Sequence, residues 1–366
     1  MTSMLPQALP QIRALEPYQP GKPIDELERE LGIHGAIKLA SNENPLGASP
    51  RACAALAGLD ALTLARYPDG AATRLRAGLA ARLGLAPSMI TLGNGSSEVL
   101  ELAVRAFAGA GDAVVCAEYA FSLYPLLAQA AGAQLRTVPA RDFGHDLPAM
   151  AAACADARLV FVANPNNPTG TWVDGETLEA FLKAVPPQVV VVLDEAYREY
   201  VQQPGYVDTG SWIARFPNLI ITRTFSKIYG LAGLRIGYGL STPAMAEVLN
   251  RIRPPFNTSE AAQRAALAAL DDAAFVRASQ DLNATGLRVV TEGLERLGLP
   301  VLPSVGNFVS FEVGPAAEVF QQLLRAGVIV RPLANYGMPR HLRVTIGTPE
   351  ENARFLEALA GVLGRA

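Results

Sequence analysis

The segment TFSKIYGLAGLRIGY, residues 224–238, decides the fold, because it places one lysine where a buried strand ends. It follows the apolar run Leu219–Thr222, which has the composition of a strand inside a covered sheet. Hydroxyl side chains flank Lys227, and Arg235 follows within the same segment. A lysine in a short polar turn is usually a solvated surface residue, so its role depends on the motifs that lie upstream.

Seven short apolar runs lie between about residues 88 and 240, and helical periodicity separates most of them, as in Glu98–Phe107 and Thr177–Ala184. The runs are Met89–Leu92, Ala113–Cys116, Gln134–Val138, Leu159–Val162, Val189–Leu193, Leu219–Thr222 and Arg235–Leu240. Such alternation predicts an α/β fold, a large domain whose mostly parallel seven-stranded sheet is covered by helices. Because the last run follows Lys227 after a short connection, we expect that strand to be antiparallel.

The sequence pattern changes after about residue 244, where long predicted helices rich in alanine and arginine begin. Short strands are predicted at Asn307–Phe311, Val328–Val330 and Leu342–Ile346, followed by a closing helix from Pro349. This pattern predicts a smaller α+β domain. The expected division is a proline-rich N-terminal arm with part of the small domain at 1–44, the large domain at 45–250 and the small C-terminal domain at 251–366.

Composition restricts the class of protein. A chain of 366 residues that is 50% hydrophobic and 18% charged indicates a folded globular protein with a large core. The net charge of −3 offers no positive surface for nucleic acid. No apolar run reaches the roughly 18 residues of a membrane span, so no membrane is expected as a partner. The N-terminal segment lacks the layout of a signal peptide, which favours a cytoplasmic protein.

Cysteine and histidine patterns add little chemistry. Cys53, Cys116 and Cys154 are widely spaced in surroundings rich in alanine or valine, so we expect small buried hydrophobic side chains in a reducing compartment. The three histidines show no metal-ligand spacing, and no metal is expected.

Two glycine- or proline-rich motifs follow predicted strands. The first, GNGSSE at 93–98, opens a helix whose free N–H groups favour an anion, although such a segment alone is usually only a turn. The second, NPNNPTG at 164–170, fixes asparagines between two prolines. Those asparagines either orient an amide at a ligand or form an Asx turn.

The motif DEAY at 194–197 closes a very apolar strand. A carboxylate there is unfavourable without a cationic partner, which could be a salt-bridged side chain or a protonated pyridine nitrogen. Because the carboxyl ends of parallel strands meet at one edge of a sheet, we expect Asp194 and Lys227 to converge. These groups match pyridoxal 5'-phosphate. The lysine amine can bond its aldehyde, the carboxylate can pair with its pyridinium nitrogen, and the hydroxyls and the guanidinium can bind its phosphate.

In this order the four motifs resemble those of the fold type I pyridoxal phosphate enzymes, the aspartate-aminotransferase superfamily. Four further segments resemble the histidinol-phosphate aminotransferase family within it, and together they span nearly the whole chain. They are PYQPGK at 17–22, LASNENPLG at 39–47, RYPDG at 66–70 and LRVTIGT at 342–348. The resemblance implies amino transfer between L-histidinol phosphate and 2-oxoglutarate or glutamate in histidine biosynthesis, with pyridoxal 5'-phosphate as cofactor.

The resemblance also implies roles for individual residues at the cofactor. Lys227 would bond the cofactor and then act as the base, Asp194 would pair with its ring nitrogen, and Phe121 would stack on the ring. Two side chains would contact the ring oxygen, Tyr197 and Asn167. The residues implied for the phosphate are Ser96, Ser97, Thr224, Ser226, Arg235 and, from the other subunit of a homodimer, Tyr67.

Substrate binding is implied for a second group of residues. Arg331 and Arg343 would hold the anionic ends of the substrates, Asn167 would contribute a contact, and Tyr18 would close over the site. The segment YAFSLY at 119–124 departs from relatives that often carry Pro-Thr-Tyr there. Phe121 keeps a stacking face but lacks a hydroxyl, which leaves the choice of amino donor open.

Other interpretations of the same residues remain. An aromatic amino acid aminotransferase is the nearest, because a slot for imidazole also accepts a phenyl ring. A decarboxylase or lyase of a phosphorylated amino acid would use the same cofactor machinery. A regulator built on this fold would need a DNA-binding head, for which the N-terminal arm is too short. A dinucleotide-dependent oxidoreductase would need fingerprint glycines that GNGSSE lacks.

Overall fold

The computed structural model describes residues 7–19 and 21–365. Its strands fall into three groups, a large sheet, a small sheet and an isolated pair. In chain order they are β1 (Ile37–Lys38), β2 (Ile90–Asn94), β3 (Ala113–Ala117), β4 (Gln134–Val138), β5 (Leu159–Ala163), β6 (Val190–Asp194), β7 (Leu219–Thr224), β8 (Ile236–Leu240), β9 (Phe308–Glu312), β10 (Val328–Ile329), β11 (Arg331–Pro332) and β12 (His341–Thr345).

Helices alternate with these strands through the large domain and dominate the chain after β8. In chain order they are α1 (Pro10–Arg13), α2 (Ile24–Leu31), α3 (Pro50–Ala57), α4 (Ala61–Leu64), α5 (Thr73–Leu83), α6 (Ser96–Phe107), α7 (Leu123–Ala130), α8 (Leu147–Ala153), α9 (Gly175–Ala184), α10 (Pro243–Ile252), α11 (Glu260–Leu270), α12 (Ala273–Arg296), α13 (Ala316–Arg325) and α14 (Pro349–Val362). Many begin at a side chain that caps the first turn, and Thr348 and Glu351 form a complete capping box on α14.

The large sheet has the order β2-β8-β7-β6-β5-β3-β4. Strand β8 is antiparallel to both of its neighbours, and the remaining pairs are parallel. The predicted seven-stranded, mostly parallel sheet and its antiparallel last strand are therefore confirmed. Apolar side chains fill both faces, with α3, α5, α8, α9 and α11 on one side and α6, α7 and α10 on the other. Burial on both faces explains why the central strands β3 and β5 are apolar throughout, whereas the edge strand β4 is partly polar and exposed.

The small domain is built on the antiparallel sheet β11-β12-β9, with β1 pairing in parallel to β10. Leu39 joins its core, which supports the inclusion of part of the segment 1–44 in the small domain. The predicted boundary at residue 251 places α11 in that domain as well. However, Ala262, Ala266 and other α11 side chains pack in the core of the large sheet. We therefore propose that the boundary lies within α12, whose Val290 belongs to the small-domain core.

Several strands extend beyond the apolar runs that predicted them, and β7 thereby includes Thr224, a polar residue of the site. Strand β2 continues to Asn94, so the GNGSSE motif begins inside the strand and not after it. The run predicted at 328–330 is two short strands, β10 and β11. Cys53 is exposed, whereas we expected a buried side chain; it lies on the outer face of α3.

The predicted N-terminal arm is not one continuous helix, although the described part contains the single turn α1. Two of its prolines, Pro6 and Pro20, lie outside the described residues. Among residues 7–19 and 21–365, none of the helices combines the length and apolar character that a membrane span needs.

Candidate active site

A cavity of about 400 Å³ opens at the carboxyl edge of the large sheet, between that sheet and the small domain. Parallel strands of an α/β sheet present the residues that follow them at this edge, so the four motifs meet there. The predicted site residues that line the cavity are Tyr18, Ser96, Ser97, Phe121, Asn167, Asp194, Tyr197, Thr224, Ser226, Lys227, Arg235 and Arg343.

Asp194 is the last residue of β6 and is buried at the bottom of this cavity. Its Oδ2 accepts a hydrogen bond of 2.8 Å from the Tyr124 hydroxyl, and its Oδ1 accepts one of 3.0 Å from Thr222. Burial raises the pKa of Asp194, while the hydrogen bonds from Tyr124, Thr222 and the Ala196 backbone oppose that rise. A cationic ligand atom beside Asp194 would keep the carboxylate ionised.

Lys227 lies three residues after β7 ends, and its Nζ donates a 3.1 Å hydrogen bond to the Ser41 carbonyl. Burial and the neighbouring cation Arg343 together lower the pKa of Lys227 to about 8, although Glu43 and Asp194 oppose this shift. About half of the amines are therefore neutral at a mildly alkaline pH near 8. A neutral amine is the form that attacks an aldehyde or removes a proton.

A second group of residues forms an anion-binding end of the cavity. Ser96 and Ser97 begin α6, so their backbone N–H groups are free of intrahelical partners. Thr224 and Ser226 line the same region, where the Ser226 N–H donates to Thr224 Oγ1 at 3.0 Å. Arg235 adds a positive charge at this end of the cavity. The Arg235 guanidinium lies against the backbone of Gly95, where the Cβ of any other residue would collide with it, and Gly95 also has a positive φ of 74°.

The side of the cavity near Asp194 presents aromatic and amide groups. Phe121 lines the wall and packs edge-on against Tyr124, with ring centroids 5.7 Å apart. The Tyr197 hydroxyl accepts a 2.9 Å hydrogen bond from Asn42 Nδ2. Asn167 Oδ1 accepts a hydrogen bond from Arg343, so its amide nitrogen is left as a donor for a ligand.

Two arginines from the small domain approach the cavity. Arg343 lines it directly, donates 2.8 Å to the Ala40 carbonyl and lies 5.2 Å from the Phe308 ring centroid. Arg331 does not line the same cavity but lies beside it, 5.4 Å from the centroid of the Tyr18 ring. Arg331 Nη2 and Arg343 Nε are buried without a hydrogen-bond partner in the described part of the chain. Buried donors without partners mark a place where an anionic ligand binds favourably.

Tyr67 is a predicted site residue that, like Arg331, does not line the cavity in the described chain. Its side chain is 81% exposed and stacks on Phe256, with ring centroids 4.5 Å apart. A contact between Tyr67 and a ligand in the cavity would therefore need a second subunit.

Sequence reasoning missed three groups that hold the site residues in place, Asn42, Tyr124 and Thr222. Asn42 and Tyr124 lie inside quoted motifs, LASNENPLG and YAFSLY, but nothing in those motifs shows which residue they contact. Thr222 precedes Lys227 by five residues on β7 and meets Asp194 only through the register Asp194↔Thr222 between β6 and β7. Pairing the two predicted strands in this register would have placed Thr222 beside Asp194.

The residues present fit pyridoxal 5'-phosphate. The cavity offers a lysine with a lowered pKa, a carboxylate whose pKa is raised by burial, and N–H groups at the start of α6 beside Arg235. In the described residues no group of acidic, cysteine or histidine side chains is arranged to hold a metal ion.

Comparison with known proteins agrees with this geometry. A model of the family "Aminotransferase class I and II" matches residues 34–359. The chain is 55% identical to "Histidinol-phosphate aminotransferase 2" of Pseudomonas fluorescens, covering 98% of each chain. It is also 55% identical to "Histidinol-phosphate aminotransferase" of Methylobacillus flagellatus, covering 99% of each.

Solved structures give the same result for the fold. The histidinol-phosphate aminotransferase of Sinorhizobium meliloti, crystallised with pyridoxal-5'-phosphate, superposes with a TM-score of 0.89 at 32% identity, covering 100% of this chain and 99% of that one. A Thermus thermophilus aspartate aminotransferase shares the fold at 24% identity, with a TM-score of 0.85 over 98% of this chain and 100% of its own. The chain belongs to the aminotransferase class I and II family.

Proposed function

We propose that this protein uses pyridoxal 5'-phosphate to transfer an amino group between L-histidinol phosphate and 2-oxoglutarate, with glutamate as the other product. The observation that carries the proposal is the meeting of Lys227, Asp194 and Arg343 in one cavity, with Arg331 beside it. The relatives named as histidinol-phosphate aminotransferases, 55% identical over nearly full length, support the choice of donor.

The cofactor, when bound, supplies an electron sink that stabilises negative charge developing on the substrate carbon next to the amine. Asp194 would hold the protonated ring nitrogen, and Tyr197 with Asn167 would contact the ring oxygen. Phe121 would cover one face of the ring. The N–H groups and hydroxyls of Ser96, Ser97, Thr224 and Ser226 would bind the phosphate, together with Arg235.

Lys227 would carry the proton during the reaction. Its Nζ has a pKa lowered to about 8, so it can accept a proton from the substrate carbon and return it to a neighbouring atom.

The arginines would orient the two substrates in turn. A guanidinium binds either a phosphate or a carboxylate with two parallel hydrogen bonds, so one pocket can accept histidinol phosphate and then 2-oxoglutarate. Arg343 is held by Asn167 and the Ala40 carbonyl, which fixes its plane at the cavity wall. Asn167 therefore also contributes to substrate binding, and Tyr18 covers the entrance beside Arg331.

A comparison of amino donors tests the proposal. Purified protein loaded with the cofactor is given 2-oxoglutarate and equal concentrations of L-histidinol phosphate, phenylalanine or tyrosine, and glutamate is measured. We expect a strong preference in kcat/KM for histidinol phosphate. A preference for the aromatic amino acids would contradict the assignment of the donor. Conversion of more than one equivalent of donor per active site without 2-oxoglutarate would contradict amino transfer.

We further propose a homodimer in which Tyr67 completes the phosphate site of the other subunit. The exposed stack of Tyr67 on Phe256 supports this, because it presents a large aromatic surface away from its own cavity. Mixing Tyr67→Phe protein with Lys227→Ala protein tests it. If Tyr67 acts across the interface, mixed dimers contain one wild-type site, and activity rises above that of either parent. Subunit exchange without such a rise would contradict the proposal.

A cytoplasmic location stays a prediction, based on composition and on three cysteines that are free in the structure. Fractionation of the source cells, with blotting for the chain, would test it.

A further inference from the structure

Asn42 lines the cavity, and its polar groups form hydrogen bonds to both domains. The residue is 1% exposed and adopts a left-handed backbone, with φ of 55°, which asparagine tolerates better than most residues. Its backbone N–H donates 2.9 Å to Thr345 Oγ1, and its carbonyl accepts 3.0 Å from Asn307 Nδ2. Both partners belong to the small domain, so Asn42 is held from that side.

These hydrogen bonds determine which way the Asn42 amide faces. Because Thr345 Oγ1 accepts the Asn42 N–H, its own proton is free to be donated, and it lies 3.2 Å from Asn42 Oδ1. The amide oxygen is thereby turned towards Thr345. The amide nitrogen then faces the large domain and donates 2.9 Å to the hydroxyl oxygen of Tyr197.

The consequence falls on the proton of the Tyr197 hydroxyl. Tyr197 is buried, lines the cavity and has the Asn42 amide as its hydrogen-bond partner among residues 7–19 and 21–365. A hydroxyl that accepts from Asn42 cannot donate back along the same line, so its proton is directed elsewhere. The open direction is the cavity, where the proposed cofactor would place its ring oxygen.

We propose that Asn42 is a positioning residue that makes Tyr197 a hydrogen-bond donor to the cofactor, with Thr345 fixing the orientation of the Asn42 amide. The inference rests on the proposed function, since it assigns a role at the same site. Asn42 acts through Tyr197. Thr345 of the small domain thus determines that the Tyr197 hydroxyl of the large domain donates its hydrogen bond to the cofactor.

The test measures the visible absorption of the bound cofactor as a function of pH. The quantity compared between variants is the pH midpoint of the change in that absorption. A donor at the ring oxygen stabilises negative charge there, so losing that donor keeps the cofactor protonated to higher pH. Replacing Asn42 by Asp, which can only accept from Tyr197 when ionised, is expected to raise the midpoint by about one unit, the equivalent of one hydrogen bond. Tyr197→Phe is expected to raise it by a similar amount.

Combining the two changes separates orientation from charge. In the Tyr197→Phe background, Asn42→Asp has no hydroxyl to redirect, so it is expected to add much less than it does alone. Equal shifts in both backgrounds would mean that the new carboxylate acts by charge, and would overturn the inference. An unchanged midpoint in Asn42→Asp, or in Tyr197→Phe, would overturn it as well.

Uncharged variants keep the test decisive if Asn42→Asp fails to fold. Thr345→Ser retains the orienting hydroxyl and is expected to keep the wild-type midpoint, whereas Thr345→Val releases the amide and raises the midpoint. Asn42→Gly accepts the positive φ and removes the donor, and it too is expected to raise the midpoint. If the serine and valine variants give the same midpoint, the amide orientation does not depend on Thr345 and the inference fails.

Asn352→Asp provides a matched control, because Asn352 is another buried asparagine whose amide bonds only the Gly347 backbone. It is expected to lower thermal stability and leave the midpoint unchanged; a raised midpoint would show that any buried acid has this effect. The proposed function is checked separately, by borohydride trapping of the cofactor on Lys227 and by amino transfer from histidinol phosphate. If those succeed while the Asn42 and Thr345 variants behave like wild type, only this inference fails.

Discussion

Arg331 and Arg343 occupy directly opposite positions on the neighbouring strands β11 and β12. Each is only 5% exposed, and each keeps a guanidinium nitrogen without a protein partner in the described part of the chain. Like charges opposite each other in an antiparallel pair are destabilising unless an anion lies between or beside them. The arrangement therefore lowers the stability of the free protein and favours the binding of an anionic substrate.

Arg331→Met should separate these two effects. Removing one of the paired charges relieves repulsion, so we expect an equal or higher melting temperature for the substrate-free protein. Loss of a charged hydrogen bond to the substrate should raise the KM for histidinol phosphate or 2-oxoglutarate about 10- to 100-fold. Calorimetry and steady-state kinetics measure the two quantities. A lower melting temperature with an unchanged KM would show that Arg331 is structural.

The lowered pKa of Lys227 should make both the stability of the cofactor-free protein and its rate of cofactor attachment depend on pH. Its pKa is lowered from 10.5 in the unfolded chain to about 8 in the folded one. Between these values the unfolded chain binds more protons, so the contribution of Lys227 to stability is unfavourable below pH 8 and is relieved as pH rises towards 10.5. The rate of cofactor attachment should rise with a midpoint near pH 8, since the neutral amine reacts.

Stopped-flow absorbance across pH 6.5–9.5, a range set about the pKa of Lys227, follows this attachment. Lys227→Met should abolish attachment and also flatten the relation between stability and pH above pH 8. A midpoint near 10.5 would contradict the lowered pKa.

Tyr124→Phe should weaken the pairing between Asp194 and the cofactor. The Tyr124 hydroxyl opposes the effect of burial on the pKa of Asp194, so removing it should raise that pKa further. We expect about a 10-fold loss of cofactor affinity, the size of one charged hydrogen bond. Titration of the cofactor-free protein by fluorescence measures it.

Tyr206→Phe is the control for the loss of a buried tyrosine hydroxyl, because Tyr206 donates 2.9 Å to the Asn164 carbonyl and not to Asp194. The control should lose stability and retain affinity. Equal losses of affinity in both variants would argue against a specific role of Tyr124.

Glu195→Gln should destabilise the large domain. Arg223 is fully buried on β7, and its Nε donates 2.8 Å to Glu195 Oε2 on the neighbouring segment after β6. Removing the Glu195 charge leaves the buried Arg223 paired with the more exposed Asp208, and we expect a loss of about 3 kcal/mol in the free energy of unfolding. Urea denaturation measures it. Because Asp208 also bonds Arg223, at 2.8 Å, a smaller loss in Asp208→Asn would show that Glu195 is the main partner.

The sequence was sufficient to predict the sheet, because strands buried on both faces must be apolar throughout, and chemistry gathers where they end. Asp194, Lys227 and Arg235 were predictable for that reason. The contacts of Tyr124 and Asn42 were not, because both join segments that are distant along the chain. Tyr124 meets Asp194 across 70 residues, and Asn42 meets Tyr197 across 155. Packing of the folded chain brings these pairs together, and no local periodicity records it.

The proposed shift of the domain boundary from residue 251 into α12 has a similar reason. Alanine-rich segments such as α11 have one weakly apolar face, and the sequence does not show which core receives it. The structure places that face against α3 and α5, beside the large sheet.

The 24-residue helix α12 belongs to both parts of the molecule, with Val276 against the large-domain core and Val290 and Leu294 in the small-domain core. At 1.5 Å per residue this helix is about 36 Å long. Because each core packs on one end of the same helix, unfolding of either core removes packing contacts from α12, which couples the unfolding of the two cores. The two domains should consequently lose their structure as a single cooperative unit, although each has its own sheet.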